Sequence, residues 1–437
     1  MAKPNFVRRK TRIPQSAVFV KDAVLKIAPS VIKVRRAIHA NPELGFQEKK
    51  TTCLIIKELT AANIPVRVTS EGVGAIGEIK GKYPGKTIVL RADIDALPIQ
   101  EETGLSFSSK RSGLMHACGH DAHTAALIGA GRILAEYNRT VGLHGNVRLV
   151  FQPNEEARAS DRSGAHLMIR EGALKNASAV IGGHVFNNMR TGVQIQGKGG
   201  ALQASANLFT ITIRAPERHP GTALFNPLVA QGIIIGELSR KYRSSKDILV
   251  QPTEVAVQQR GSKGTLTPSE IKLVIRTGVL GSPKDEKKFI RGLNENIRYI
   301  VRRRILGAKT WKTKSEANRR VATEKELQGV SISVKTVRGN PPLYNDSGLA
   351  KLTRKATEDL GLKFGRSPTF KSAEDFALYG TVKSDGKRVP IHYMWTGANP
   401  KGTATPHHTP TFIINDEGTL NQAAVLAQSA IRFLNKK

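Results

Sequence analysis

Met115-His116-Ala117-Cys118-Gly119-His120-Asp121-Ala122-His123 places a thiol, three imidazoles and a carboxylate within nine residues. The whole chain has 437 residues, two cysteines and eleven histidines, so this concentration is not a matter of composition. Cys118 and His120 stand two apart, and in an extended segment both side chains leave the same face. A soft thiolate beside an imidazole suits a borderline transition metal such as zinc, manganese or cobalt. Glu155-Glu156 follows a strand-like run, His184 ends another, and His407-His408 lies near the C-terminus. That set can ligate two metals and leave one carboxylate free for chemistry.

Working outward, Lys86–Asp93 reads as a buried strand ending in a carboxylate, and Ala122–Tyr137 as an Ala-rich helix after the Cys/His loop. Val147–Phe151 and Ala177–Gly183 are further strands, with a helix over Gly164–Gly172 between them. Ser30–His39 carries Val31, Val34 and Ile38 at helical spacing, with Pro29-Ser30 as its start signal and a shorter turn ahead of it. Strands alternating with helices predict an α/β sheet with parallel pairs, and sites in such sheets form at strand ends.

The pattern changes after Gly197-Lys198-Gly199-Gly200. Leu208–Arg214 alternates Phe209, Ile211 and Ile213 with Thr210 and Thr212, the mark of a half-buried antiparallel strand. A helix over Leu228–Tyr242, strands over Ile248–Gln258 and Glu270–Thr277, a helix over Asp285–Arg303 and a strand over Val330–Val337 complete a β-α-β-β-α-β order, that of a ferredoxin-like unit. A helix from Ser347, a loop with Glu374-Asp375-Phe376 and a helix from about Leu420 follow. The expected division is a basic tail over 1–20, a discontinuous metal-binding domain over 21–196 and 341–437, and an inserted domain over 197–340.

Composition sets bounds. Two cysteines make no disulfide framework, so a reducing compartment, the cytoplasm, is expected. No apolar run approaches the ~18 residues of a membrane span. Lys21 and Asp22 break any apolar signal core, and organelle targeting by the basic N-terminus is a weaker alternative to a plain tail. The net charge of +33 admits a nucleic acid, an anionic surface or a carboxylate substrate as partner. The basic residues are spread along the chain with no binding motif, which favours solvated faces.

These residues resemble the M20 metallopeptidase family, in particular its amidohydrolase branch of N-acyl-amino-acid, hippurate and auxin-conjugate hydrolases. The matching segments are His39-Ala-Asn-Pro-Glu-Leu-Gly-Phe46, Arg91-Ala-Asp-Ile-Asp-Ala-Leu-Pro98, Met115–Ala125, Phe151-Gln-Pro-Asn-Glu-Glu156, Gly183-His184, Glu374-Asp-Phe376 and His408-Thr-Pro410. They stand in the family's order across roughly residues 32–434. The resemblance implies a phosphorylase/hydrolase-like α/β catalytic domain interrupted by a ferredoxin-like α+β lid that pairs two subunits. It implies Cys118, His120, Glu156, His184 and His408 as ligands of two divalent ions (Mn or Zn, with Co or Ni acceptable), Cys118 bridging. It implies Glu155 as general base, Asp95 as the carboxylate supporting a ligand histidine, and His219 as the lid donor to the oxyanion. Arg276 stands where it would meet a substrate carboxylate.

The lid departs from the family. Ala215-Pro216-Glu217-Arg218 replaces a Gly-rich turn, two residues are missing between His219 and Pro227, Thr265 replaces an Asn, and Lys309–Glu326 is a basic insertion. The expected activity is hydrolysis of the amide of an N-acyl amino acid or related small conjugate. A dipeptidase or aminoacylase on the same fold, or a catalytically degenerate basic scaffold binding polyanions, are the alternatives. Cys118 as a nucleophile would leave Glu156, His184 and His408 without a role. His116 and His123 read as supporting residues, His407 as neighbouring surface, and His144, His166 and His392 as ordinary histidines. Asp93 is a strand-end cap or a neighbour of the metals, and Glu374 organises a loop or touches substrate.

Overall fold

The computed structural model describes residues 13–156, 163–196, 199–217, 226–258, 266–301, 329–366, 369–384, 386–399 and 404–436. Helices α1 (Gln15–His39) and α2 (Lys49–Ala61) lead into β1 (Val66–Val68), β2 (Ala75–Ile79) and β3 (Tyr83–Asp93). Helix α3 (His120–Thr140), β4 (His144–Gln152), α4 (Gly164–Arg170), β5 (Ala177–Arg190) and β6 (Val193–Gln196) follow. The middle of the chain forms β7 (Gly200–Gln203), β8 (Asn207–Arg214), α5 (Pro227–Tyr242), β9 (Ile248–Gln258), β10 (Glu270–Val279), α6 (Pro283–Ile300) and β11 (Ser331–Arg338). The last part forms β12 (Leu343–Asn345), α7 (Ser347–Asp359), β13 (Lys363–Arg366), a 3-10 helix (Asp375–Thr381), β14 (Lys383–Ser384), β15 (Lys387–Arg388), β16 (Ile391–Asn399) and α8 (Asp416–Leu434).

β3 lies inside an eight-stranded sheet of order β1-β2-β4-β3-β5-β16-β6-β13. It runs parallel to β4 and β5, and β16 runs parallel to β5. A strand covered on both faces must be apolar on both, and β3 divides accordingly. Ile88, Leu90 and Ala92 join the core formed with α1, α2, α3 and α8, while Val89 joins the core formed with α4 and the 3-10 helix. Arg91 and Asp93 share the Val89 face by the period of two and are fully buried there. The parallel strands therefore end together, with Asp93 opposite Gln152, and the loops that carry Asp95 and Glu155-Glu156 leave from adjacent strand ends.

A second sheet has the order β11-β8-β10-β9, every neighbour antiparallel. Phe209, Ile211 and Ile213 of β8 and Leu273 and Ile275 of β10 pack with Ala230, Ile234 and Leu238 of α5 and Leu293 and Ile297 of α6. This 4-1-3-2 arrangement of β-α-β-β-α-β is the ferredoxin-like topology. The two segments joining the sheets run side by side: β7 pairs with β12, and the backbone of Ala206 bonds those of Gly339 and Asn340. β9 forms an edge of the sheet, with Val255 42 % and Val257 51 % exposed.

Several elements extend past their expected limits. The basic tail expected over 1–20 does not hold for residues 15–20, which open α1 and bury Ala17 and Val20 completely. α1 also runs unbroken through Pro29, where a helix start was expected. Apolar burial on both sides of the proline (Ala17 and Val20 before it, Val31, Val34 and Ile38 after it) outweighs the lost backbone hydrogen bond. Ser30 Oγ donates to the Ile27 carbonyl at 2.7 Å in the same turn. The strand expected to end at Gly183 continues to Arg190 along β16, so His184 sits mid-strand.

Pro29 is exposed, and replacing it restores a helical N–H without touching the core. Pro29→Ala is expected to raise the unfolding free energy by about 1–3 kcal/mol in urea titration. A loss of stability would contradict a continuous α1.

Candidate metal centre

Cys118 lies in the loop before α3, and Gly119 caps that helix with φ +90°. A Cβ at Gly119 would also stand 2.6 Å from Val185 Cγ2, so this position needs glycine on both counts. The left-handed turn lets Cys118 stay in the loop while His120 becomes the first residue of α3. His120 Nδ1 donates to the Asp95 carbonyl at 2.9 Å and lies 3.1 Å from Asp95 Oδ1. The Glu156 N–H donates to the other Asp95 oxygen at 3.0 Å. One carboxylate thus sets the positions of His120 and Glu156, and among the described residues it leaves His120 Nε2 buried without a hydrogen-bond partner.

His184 is fixed in the same way. Its Nδ1 donates to the Val185 carbonyl at 2.6 Å, which turns a lone pair on Nε2 toward Cys118 Sγ at 3.2 Å. His408 has φ +62°, a conformation that non-glycine residues adopt at a cost, and its N–H donates to the Ala117 carbonyl at 2.9 Å. His408 Nε2 then stands 3.3 Å from Cys118 Sγ and 3.0 Å from Glu156 Oε1. Cys118, His120 and His184 present ligand atoms within 4.8 Å of one another, as do Cys118, Glu156 and His408. The thiol is common to both groups.

The electrostatics are those of a site built for cations. Burial, with Glu156, Glu155 and Asp93 nearby, pushes the Cys118 thiol well above its ordinary value. Burial pulls the His120 imidazole down, yet Asp93, Asp95 and Glu156 outweigh it and raise it to about 10. Burial, then Glu374, Glu156, Asp375 and Asp95, holds the Glu155 carboxyl well above the usual carboxylate range. A divalent cation would reverse each of these pressures, since it favours thiolate, neutral imidazole and carboxylate together. The donor set and the orphaned His120 Nε2 therefore fit two divalent ions sharing Cys118.

His123 does not join the ligands. Its Nδ1 bonds Asp93 Oδ1, and its Nε2 accepts the Val185 N–H at 2.8 Å, which spends both nitrogens. His116 is buried with neither nitrogen bonded among the described residues, and burial lowers its pKa to about 4. His407 is not open surface: it is half-buried, its ring 5.2 Å from that of His184. Glu374 caps the 3-10 helix through the Phe376 N–H at 3.2 Å, and its carboxylate lies within 4.8 Å of those of Glu155 and Asp375.

Two buried arginines were not read from the sequence. Arg91 donates to Gln152 at 2.9 Å, Asp93 at 2.6 Å and Asp375 at 2.9 Å, and reaches Glu374 at 3.3 Å. Arg35 donates to Asp121 at 3.1 Å and to Asp416, joining the helix that carries His120 to the segment after His408. A charged residue at alternate positions of an otherwise apolar strand was the available signal for Arg91. Arg276 lies exposed on β10, opposite Leu208 and Gln251, away from the α5–α6 face. His219, Thr265 and Lys309–Glu326 fall outside the described residues.

An α/β sheet with thiol, imidazole and carboxylate donors gathered at its strand ends has the makings of a metal-binding hydrolase. Residues 89–432 match the model of peptidase family M20/M25/M40, and the chain belongs to that family. It is 32 % identical over 413 residues to an N-acetylcysteine deacetylase of Bacillus subtilis, covering 92 % of this chain and 97 % of that one. It is 30 % identical to IAA-amino acid hydrolase ILR1-like 2 of Arabidopsis thaliana, over 93 % and 86 % of the two chains. The YXEP protein of Bacillus subtilis, a dinuclear metal-binding peptidase of family M20, superposes with a TM-score of 0.77 at 29 % identity, over 94 % of this chain and all of that one.

Asp95→Ala is expected to weaken divalent-metal affinity about 10–100-fold in calorimetric titration, because His120 and Glu156 both lose their support. Unchanged affinity would show that Asp95 does not orient the ligands.

Proposed function

We propose that the protein is a metal-dependent amidohydrolase that cleaves the amide bond of N-acyl amino acids or related small conjugates. The carrying observation is that the Glu155 carboxyl lies within reach of His120 and Glu156, next to two donor groups that have Cys118 in common. In this reading Cys118, His120, Glu156, His184 and His408 hold two divalent ions, manganese or zinc, with cobalt or nickel accepted by the same donors. Bound there, the ions supply Lewis acidity to the substrate carbonyl and lower the pKa of the attacking water.

The chain's own residues do the rest. Glu155 takes a proton from the water as its oxygen adds to the carbonyl carbon, and gives it to the nitrogen as the C–N bond breaks. The acyl half leaves as a carboxylic acid and the other half as an amine. Asp95 keeps His120 and Glu156 in place through both steps. By family resemblance, His219 donates to the developing oxyanion and Arg276 pairs with the carboxylate of the amino-acid half.

The catalytic domain in this reading is 21–196 with 341–437, and 197–340 is the lid. A homodimer through the lid is part of the proposal: the open edge of β9, with Val255 and Val257 exposed, supports pairing with a second copy. Cys53 and Cys118 are both free thiols, which suits a reducing compartment such as the cytoplasm. Among the described residues, no helix is long and apolar enough to cross a membrane.

Glu155→Gln is expected to keep both ions and lose amine release from N-acyl amino acids by about 10²–10⁴-fold. Metal content with turnover on an N-acyl amino acid panel checks this. Wild-type turnover in the variant would contradict the assigned base.

A further inference from the structure

A second concave site lies away from the metal centre and outside the chemistry above. The start of α1, the start of α7 and the end of α8 border a cavity of about 690 Å³, within the range of small-molecule sites. Its charge is one-sided: Lys351, Arg432 and Lys436 line it, and among the described residues no Asp or Glu does. Arg432 Nε pairs with Asp359, which leaves the two terminal nitrogens of the guanidinium for a further acceptor. Lys351 and Lys436 are exposed, and neither makes an ion pair among the described residues. Residues 1–12, just ahead of the lining residue Pro14 in the chain, hold Lys3, Arg8, Arg9, Lys10 and Arg12 and no acid. The protein's own N-terminal segment thus has the wrong charge to fill the cavity.

The polar groups around the cavity narrow what such an anion carries. Gln428 is fully buried and donates Nε2 to Ser16 Oγ at 3.1 Å. The Ser16 hydroxyl therefore keeps its own hydrogen for an acceptor such as a phosphate oxygen. Gln428 Oε1 has no hydrogen-bond partner among the described residues, and a buried amide oxygen calls for a hydroxyl or N–H donor. Ser16 and Gly348 stand in the first turns of α1 and α7, where backbone N–H groups lack intrahelical acceptors, and neither turn holds an acid. Asp346, the cap of α7, holds the Leu349 N–H and does not line the cavity. Leu352, Ile431 and Pro14 add apolar wall. Ser16 and Arg35 are nineteen residues apart on α1, about 28 Å at 1.5 Å per residue, and Arg35 is the residue that reaches Asp121 beside His120. The cavity is thus separate from the metal centre.

We propose that this cavity binds a small organic phosphate that carries hydroxyl groups, of the sugar-phosphate or nucleotide class. Its phosphate sits among Lys351, Arg432 and Lys436 and accepts from the Ser16 hydroxyl, while a hydroxyl of its body donates to Gln428 Oε1. The body covers Leu352 and Ile431. A bare phosphate ion uses the cations alone and leaves the apolar wall and most of the volume empty. The inference does not depend on the amidohydrolase reading, since it uses no residue of the metal centre.

Calorimetry on the full-length, metal-loaded protein tests this with ribose 5-phosphate and AMP, against ribose, adenosine and inorganic phosphate. At least one of the two organic phosphates is expected to bind saturably, one per chain, and about tenfold or more tightly than inorganic phosphate. Ribose and adenosine, which lack the anion, are expected not to bind. Lys351→Ala and Lys436→Ala, both at exposed positions that leave the core intact, should each weaken the binding about tenfold. Absence of saturable binding by both organic phosphates overturns the proposal. So does binding no tighter than that of inorganic phosphate, which would make the cavity a site for a simple ion only. Affinity unchanged in both variants overturns it as well, because the ligand then sits elsewhere, on the metal ions or another basic surface.

Discussion

Burying a thiol, imidazoles and carboxylates against one another is unfavourable unless something positive compensates them. In this protein His120 and His184 each spend Nδ1 on a protein oxygen and turn Nε2 toward that crowded interior. Cys118 and Glu156 complete it, and the proposed base Glu155 stands in the same negative field. The structure makes sense around cations: their charge would hold the thiolate, the neutral imidazoles and the carboxylates in their working states at once.

The rest of the fold serves that constraint. Parallel β3 and β4 end side by side, which brings Asp93, Asp95 and the Glu155–Glu156 loop together. The left-handed Gly119 and His408 aim loop residues that regular backbone would point elsewhere. Arg91 gathers Asp93, Glu374 and Asp375 beneath the centre, and Arg35 ties α1 to α3 and to the start of α8. These buried ion pairs are costly in isolation, and their geometry positions the ligand-bearing segments, which come from distant parts of the chain.

Much of this was legible in the sequence because the signals are local. Period-two alternation in β8 and the apolar run of β3 each lie within a few residues, so the main strands could be read without coordinates. The donors Cys118, His120, Glu156, His184 and His408 followed from the family resemblance, and the fold brings them together. What escaped depends on distant partners. α1 crosses Pro29 because tertiary burial on both sides outweighs one lost hydrogen bond. His184 lies mid-strand because β16, some two hundred residues later, extends the pairing. The tail ends earlier than charge alone implied, since residues 15–20 open α1 and Ala17 and Val20 find buried positions. Arg91 and Arg35 were visible as letters, but a buried arginine is recognised only by the carboxylates that meet it.

In the proposed function, the single thiol of Cys118 would serve both metal ions. Titrating the metal-free protein with Co2+, while following stoichiometry and the thiolate-to-cobalt charge-transfer band, addresses it directly. The expected result is two ions per chain, a thiolate band in the wild type, and loss of that band with weakened binding of both ions in Cys118→Ser. A single ion per chain, or a band that persists in Cys118→Ser, would contradict it.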